Sequence, residues 1–129
     1  MCLRYVTKQL QKPSDKIIWA WKIFDLDESN DAYRLFFPFY GGDPEVQFSK
    51  WLKAKSPIVQ TENGETYKAG FHAYLEKPEE FASGEIAIVH VKLRSCHTWG
   101  IQDTALKTVV ADELWVPKPR KYPCRVIGD

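Results

Sequence analysis

The three histidines of this chain are the side chains best suited to move protons near neutral pH, and two of them fall in predicted strands. His72 lies in the segment 67–75 and His90 in the segment 86–93. If those strands are neighbours, the imidazoles approach each other, and Asp112 would complete an acid–base site or part of a metal site. The alternative is that both histidines are hydrogen-bonded structural groups of a sheet.

The same histidines border the candidate binding site, a cleft between residues Gly70 to Tyr74 on one side and His90 on the other. A glycine inside a strand lets a ligand or another backbone approach closely. His72 and Tyr74 share one face of their strand by alternation, so they present a polar tip and an aromatic wall at one surface. This pairing predicts recognition of a polar, flat ligand or of a partner side chain.

Sequence motifs of the common enzyme classes are absent. The chain contains no phosphate-binding loop, no dinucleotide-binding glycine pattern, no serine-hydrolase elbow and no zinc-protease motif. No residue is therefore assigned a catalytic role from a motif.

The three cysteines, Cys2, Cys96 and Cys124, do not suggest a covalent or metal framework. Their odd number and irregular spacing argue against structural disulfides. Cys96 and His97 are adjacent, whereas zinc ligands are usually separated by about two to four residues, so neither a structural metal nor a cofactor is expected. Neighbours in an extended chain also point to opposite sides, which argues against a thiol–imidazole pair.

Two acidic residues, Asp112 and Glu113, interrupt the apolar strand predicted at 108–116. Alternation puts them on opposite faces, so one carboxylate meets a mostly apolar surface unless the strand lies at an edge. A lone buried carboxylate is costly and has to be paired or placed at a pocket. A salt bridge to Lys92 or Arg94 on a neighbouring strand is the structural alternative to a functional role.

Aromatic residues are dense between positions 33 and 51, and lysines lie beside them. The rings of alternating strand positions cannot all face inward, so some are expected to be exposed or to line a cleft. Aromatic and basic side chains together suit contacts with a nucleotide or a single-stranded nucleic acid. The alternative is a core helix with a solvated lysine face. The residues concerned are Tyr33, Phe36, Phe37, Phe39, Tyr40, Phe48, Lys50, Trp51, Lys53 and Lys55.

Composition limits the class of protein. The chain has 129 residues, of which 44% are hydrophobic, 27% charged and 14% aromatic, with a formal net charge of +1. This is the balance of an ordinary globular domain. A dedicated nucleic-acid binder usually has a larger basic excess, so a nucleic-acid partner is not expected, although a local basic patch is compatible with the sequence. A protein partner or a small ligand is expected instead, and a homodimer is one option.

The same composition suggests a location. No apolar run approaches the roughly 18 residues of a membrane span, so no membrane partner is predicted. Residues Met1 to Lys12 are polar and lack the apolar stretch of a signal peptide. Cysteines outside any disulfide pattern then favour the reducing cytoplasm.

Five segments are rich in β-branched and aromatic residues and are predicted to be strands. The first is apolar on both faces, which is typical of a central strand, so Trp19 and Trp21 are predicted to be buried. A turn is expected at 94–103. The five segments are 17–24, 33–37, 67–75, 86–93 and 108–116.

Two short helices are predicted between these strands. Phe48, Trp51 and Leu52 are spaced i, i+3, i+4, which favours a helix over 46–54, and a proline suits the first turn of a second helix over 78–82.

The predicted fold class is therefore α+β, a mostly antiparallel sheet with two short helices, in a single domain of residues 1–129. The core of that domain is predicted at about 17–116. An N-terminal arm, 1–16, and a basic, proline-rich C-terminal segment, 117–129, flank it.

Several short motifs follow one another in an order that resembles a loose group of small, uncharacterised phage and bacterial proteins. The motifs are a tryptophan-bearing strand (Trp19 to Lys22), a Gly-aromatic-His-small-aromatic segment (Gly70 to Tyr74), a Val-x-Val-x-Leu strand (Val89 to Leu93), a small residue before an acidic one (Ala111 to Glu113), and a Met-Cys-Leu start (Met1 to Leu3). Members often carry a glycine after the Val-x-Val-x-Leu strand, where this chain has arginine and serine. The resemblance implies a phage or mobile-element origin and supplies no activity.

Two functions are compatible with these observations. The first is a small binding or interaction protein that holds a protein partner or a small ligand. The alternative is a small enzyme with an acid–base site of His72, His90 and Asp112, of which a domain related to ADP-ribosyl transferases is one version. The arginine, Ser-Thr-Ser and glutamate motifs of those transferases do not form a convincing set here.

Overall fold

A computed structural model of the chain describes residues 3–27, 34–36, 45–55, 57–61, 63–78, 85–102, 106–118 and 125–127. Regular structure in these residues consists of ten β-strands. In chain order they are β1 Tyr5–Gln9, β2 Ile18–Asp27, β3 Arg34–Phe36, β4 Trp51–Lys53, β5 Ile58–Gln60, β6 Thr66–Lys68, β7 Phe71–Tyr74, β8 Glu85–Ile101, β9 Lys107–Trp115 and β10 Arg125–Ile127. Within the described residues, no helix has the length and apolar character that crossing a lipid bilayer requires.

Four strands, β8, β2, β7 and β9, form a closed ring of antiparallel pairs. The first half of β8 pairs with β2 and the second half with β9, so one long strand connects these two strands of the ring. β7 closes the ring, because it pairs with β9 along its length and meets β2 where Tyr74 lies opposite Trp21. β1 and β10 extend the sheet beside β8, β3 beside β2, and β4 beside β9, while β5 and β6 form a separate hairpin.

The main core consists of the side chains that alternate inward along these strands. Ala20 and Phe24 of β2 and Val89, Val91 and Leu93 of β8 are all buried in it. β-Branched and aromatic residues fit this pleated, half-buried surface, which is why these runs form strands.

A second, smaller apolar cluster lies on the opposite face of β9. Leu3, Tyr67 and Val110 are fully or almost fully buried there, with Val6 and Val59 packed against them. The cluster fastens the β5–β6 hairpin and the chain before β1 to the outside of the ring.

The prediction of an α+β fold is wrong, because the described residues form an all-β structure. In the segment 46–54, predicted to be helical, Ser49 has a φ of 59° and Trp51 begins β4 opposite Trp115. Cross-strand packing outweighs a helical spacing that involves only three residues. The second predicted helix, 78–82, lies outside the described residues after its first position.

The strand predictions are largely confirmed, with two corrections. The segment 67–75 forms two strands, β6 and β7, with a break at Ala69 and Gly70. The predicted turn at 94–103 is wrong, because β8 continues to Ile101. Ser95 at a φ of 61° and a register shift between Cys96 and Thr98 absorb the irregularity within the strand.

Candidate functional site

The outer surface of the sheet over β2, β8, β9 and β4 carries four of the five tryptophans. In one row across the strands, Trp19 lies opposite Lys92, Lys92 opposite Trp115, and Trp115 opposite Trp51. Register partners in a sheet point to the same face, so this row presents three indoles and an ammonium group together. We call the surface the tryptophan face; its members are Trp19, Trp21, Trp51, Lys77, His90, Lys92, Arg94 and Trp115.

The exposure of Trp19 contradicts the prediction that it is buried. Its side chain is 50% exposed, and Trp21 is partly buried. The inward positions of β2 are Ala20, Lys22 and Phe24, so the tryptophans alternate outward. The strand is apolar on both faces because one face builds the core and the other builds this surface.

The imidazole of His90 joins the two tryptophans of β2. It stacks on Trp21 with ring centroids 4.3 Å apart and an interplanar angle of 10°, and it meets Trp19 at 4.9 Å and 42°. The Nζ atom of Lys77 lies 5.3 Å from the Trp21 ring centroid. His90 itself is exposed, so this stack forms part of the accessible surface.

Lys92 lies between two indoles of the row. Its Nζ atom is 5.1 Å from the ring centroid of Trp19 and 4.6 Å from that of Trp115. Both distances are within the range of cation–π attraction, which orders the lysine and both rings.

Arg94 continues the pattern towards β4. Its guanidinium carbon lies 4.1 Å from the ring centroid of Trp51. Arg94 Nε and Nη2 each donate to Glu113 at 2.9 Å, and Ser95 Oγ donates to the same carboxylate at 3.0 Å. Hydrogen bonds from Arg94 hold the pKa of Glu113 below its ordinary value. The predicted salt bridge to Arg94 is therefore confirmed, and this carboxylate is already bound.

His72, the other histidine of the predicted binding site, belongs to a different network, on the second apolar cluster. His72 Nδ1 lies 3.1 Å from Gly70 O, His72 Nε2 3.0 Å from Tyr67 Oη, and Leu3 N 2.9 Å from Tyr67 Oη. A carbonyl oxygen can only accept, so Nδ1 carries the hydrogen in the neutral imidazole. Tyr67 then donates to Nε2 and accepts from Leu3, and both nitrogens of His72 have partners.

Burial, together with the smaller effect of the charge of Lys22, lowers the pKa of His72 from 6.5 to about 3. Between these two values the unfolded chain binds a proton that the folded chain does not. The free energy of unfolding is therefore expected to fall by about 1.4 kcal/mol per pH unit from this group alone as the pH drops below 6.5. Urea unfolding of the wild type and of His72→Gln between these pH values would measure the slope, and equal slopes would contradict the assignment.

The other predicted site residues, Gly70, Tyr74 and His90, lie on or beside two strands, β7 and β8, that are not neighbours in the sheet. β2 separates β7 from β8, so Trp21 lies between Tyr74 and His90. A Cβ atom on Gly70 would lie 2.4 Å from Ala111 O, so the close approach at this glycine is made by the β9 backbone of the chain itself.

Asp112 lies in a separate polar cluster. Lys68 Nζ donates to Asp112 Oδ2 at 3.0 Å, and His97 Nε2 lies 3.3 Å from Asp112 Oδ1 without hydrogen-bonding geometry. The other nitrogen of His97 is 2.7 Å from Thr98 Oγ1. Burial lowers the pKa of His97. Burial also raises the pKa of the Cys96 thiol to about 11, which keeps the sulfur in its weakly nucleophilic form.

Lys22 was not identified from the sequence as a special residue. It is buried on the inward face of β2, and its Nζ donates to His72 O at 2.7 Å. Burial lowers its pKa to about 8. The signal in the sequence is a lysine at an inward position of an otherwise apolar strand, which has to find a buried acceptor.

Among the described residues, no three histidine, cysteine, aspartate or glutamate side chains are grouped in a way that could hold a metal ion. In comparisons with known proteins, no family model, no curated protein and no solved structure matches this chain.

Proposed function

We propose that this chain is a binding protein whose recognition surface is the tryptophan face, where it holds flat, negatively charged groups of a small ligand or a partner. The observation that carries the proposal is the half-exposed indole of Trp19 beside His90 and Lys92. An indole exposed to water forgoes the burial that stabilises a core, and exposed aromatic patches are typical of binding surfaces.

The alternation of rings and cations indicates the chemistry of the ligand. The indole faces offer flat apolar area to a planar group, and Lys92 supplies positive charge within the row of Trp19 and Trp115. A planar group that also carries negative charge gains from both. A cytoplasmic location, expected from the cysteine pattern, is part of this proposal.

The alternative function, an acid–base enzyme that uses His72, His90 and Asp112, gains no support from the contacts of these residues. His72 hydrogen-bonds Tyr67, His90 stacks on Trp21, and Asp112 contacts Lys68 and His97.

Binding of a flat aromatic anion is the direct test. Anilinonaphthalene sulfonate is expected to bind the wild-type protein and to receive excitation energy from tryptophan. Lys92→Gln should weaken binding by about threefold, the range of an exposed cation–π or charge contact. The neutral analogue phenylnaphthylamine should bind more weakly than the sulfonate and be insensitive to the lysine.

A matched control is present in the chain. Lys8 Nζ lies 5.1 Å from the ring centroid of Trp99, as Lys92 Nζ lies from that of Trp19. Trp99 is seven positions beyond Lys92 on β8, on the far side of the irregularity at Ser95 to Thr98, and pairs with Lys8 and Val109 outside the tryptophan face. Lys8→Gln should therefore leave the affinity unchanged. Equal effects of Lys8→Gln and Lys92→Gln would contradict the proposal.

A further inference from the structure

Resting on the proposed function, we infer that the tryptophan face binds single-stranded nucleic acid, with bases stacked on the indoles of Trp19 and Trp115 and a phosphate at Lys92 between them. Open sheet surfaces with aromatic side chains are a common platform for unpaired bases. This inference differs from the expectation drawn from the net charge of the whole chain.

The dimensions of the row fit such a ligand. Trp19, Lys92, Trp115 and Trp51 lie on four successive strands. At about 4.8 Å between strands, the row is about 14 Å long, enough for two or three bases laid on the sheet. Trp21 and His90 add a stacked pair beside one end of the row.

Charge complementarity favours this partner. Lys92 and Arg94 belong to the face, and Lys53 lies opposite Glu113 at its edge. Arg94 and Glu113 neutralise each other through two hydrogen bonds, so the excess positive charge of the face comes from Lys92, from Lys77 beside Trp21 and from Lys53 at the edge. The net charge of +1 averages over the whole chain and hides this local excess.

The indoles of the tryptophan face favour single strands over other polyanions, because a single strand offers flat bases as well as phosphates. A duplex hides the faces of its bases and offers only phosphates and groove edges to a sheet. An acidic peptide would satisfy Lys92 but would leave the indoles of Trp19 and Trp115 without planar partners. The combination of an exposed indole, partly buried indoles beside it and interleaved cations is used by proteins that bind single strands.

Fluorescence anisotropy of labelled oligothymidylate and oligouridylate of about twelve nucleotides, within ordinary site sizes, tests the inference. The wild type is expected to bind both. Trp19→Ala and Trp115→Ala should each lower the affinity about tenfold. Trp19→Phe keeps an aromatic ring for stacking and should lose much less affinity than Trp19→Ala. Lys92→Gln should reduce the slope of log affinity against log salt by about 0.7, as for one phosphate contact. Lys8→Gln is the matched control and should change neither quantity.

Thermal unfolding of each variant establishes that it is folded, and Lys92→Gln tests the surface without removing a ring. Binding of anilinonaphthalene sulfonate without oligonucleotide binding would overturn the inference and leave the proposed function standing. If the wild type binds neither anilinonaphthalene sulfonate nor the oligonucleotides, the inference and the proposed function are both overturned. Equal affinity for the duplex or for heparin would reduce the interaction to general polyanion binding, and tighter binding of an acidic tyrosine-containing peptide would point to a protein partner; either result overturns the inference.

Discussion

Replacing Gly70 with alanine is expected to lower the free energy of unfolding by about 3 kcal/mol or more, the upper range for overpacking a tight contact. The added Cβ atom would lie 2.4 Å from Ala111 O and 3.1 Å from both Ala111 C and Val110 Cγ1. Backbone atoms of a paired strand cannot rotate away, so β7 and β9 would have to separate at the start of β7, where Phe71 pairs with Ala111. Urea unfolding followed by tryptophan fluorescence measures the change.

Gly64 provides the matched control for this substitution. Its φ is +86°, but a Cβ atom there would meet only Gln60 Nε2 within 4 Å, at 3.7 Å. Gly64→Ala is therefore expected to cost about 1 kcal/mol, the ordinary cost of a left-handed alanine. A larger loss at Gly64 than at Gly70 would show that the contact with β9 is looser than these distances indicate.

Truncation of Tyr67 to alanine is expected to cost about 4 kcal/mol, as for other large buried aromatic side chains. The side chain is 1% exposed and fills the second apolar cluster with Leu3 and Val110. Its hydroxyl also bonds Leu3 N and His72 Nε2. Loss of the ring would release the segment before β1 and leave two polar groups without their partner.

Tyr67→Phe separates the hydroxyl from the ring. This variant keeps the packing but leaves a backbone N–H and an imidazole nitrogen unsatisfied, which is expected to cost about 2 kcal/mol. Both variants are compared with the wild type by chemical denaturation at neutral pH. If Tyr67→Phe is as stable as the wild type, the hydroxyl network contributes nothing and the stability resides in the ring alone.

The sequence predicts the central strands of this fold well and its class poorly. β2, β8 and β9 are recognisable because β-branched and aromatic residues dominate them. The segment 46–54 was misassigned because a helical spacing of three apolar residues also fits a short strand when its partner, β9, is unknown. The sequence predicts the end of β8 at residue 93 and a turn at 94–103, because it does not indicate that Ser95 continues the strand at a positive φ, which is uncommon for serine.

The candidate surface was harder to predict than the fold. Trp19 and Trp21 alternate with Ala20 and Lys22, and the sequence alone does not say which set faces inward. The face that contains a lysine would be expected to point to solvent, but Lys22 lies on the buried face. The row from Trp19 to Trp51 joins four strands distant in the chain, so its composition is visible only after their pairing is known.

Because β8 pairs with β2 through its first half and with β9 through its second half, the ring cannot form while the chain is still short on the ribosome. β2 is synthesised early but pairs with residues 86–93, and the ring is complete only after residues 107–115 have followed. Until then no core is available to bury Phe24, and β2 exposes apolar surface of the kind that chaperones shield. Non-local pairing of this kind folds in about milliseconds to seconds. The core and the tryptophan face of the nascent protein therefore both depend on β9, the last strand of the ring to be synthesised.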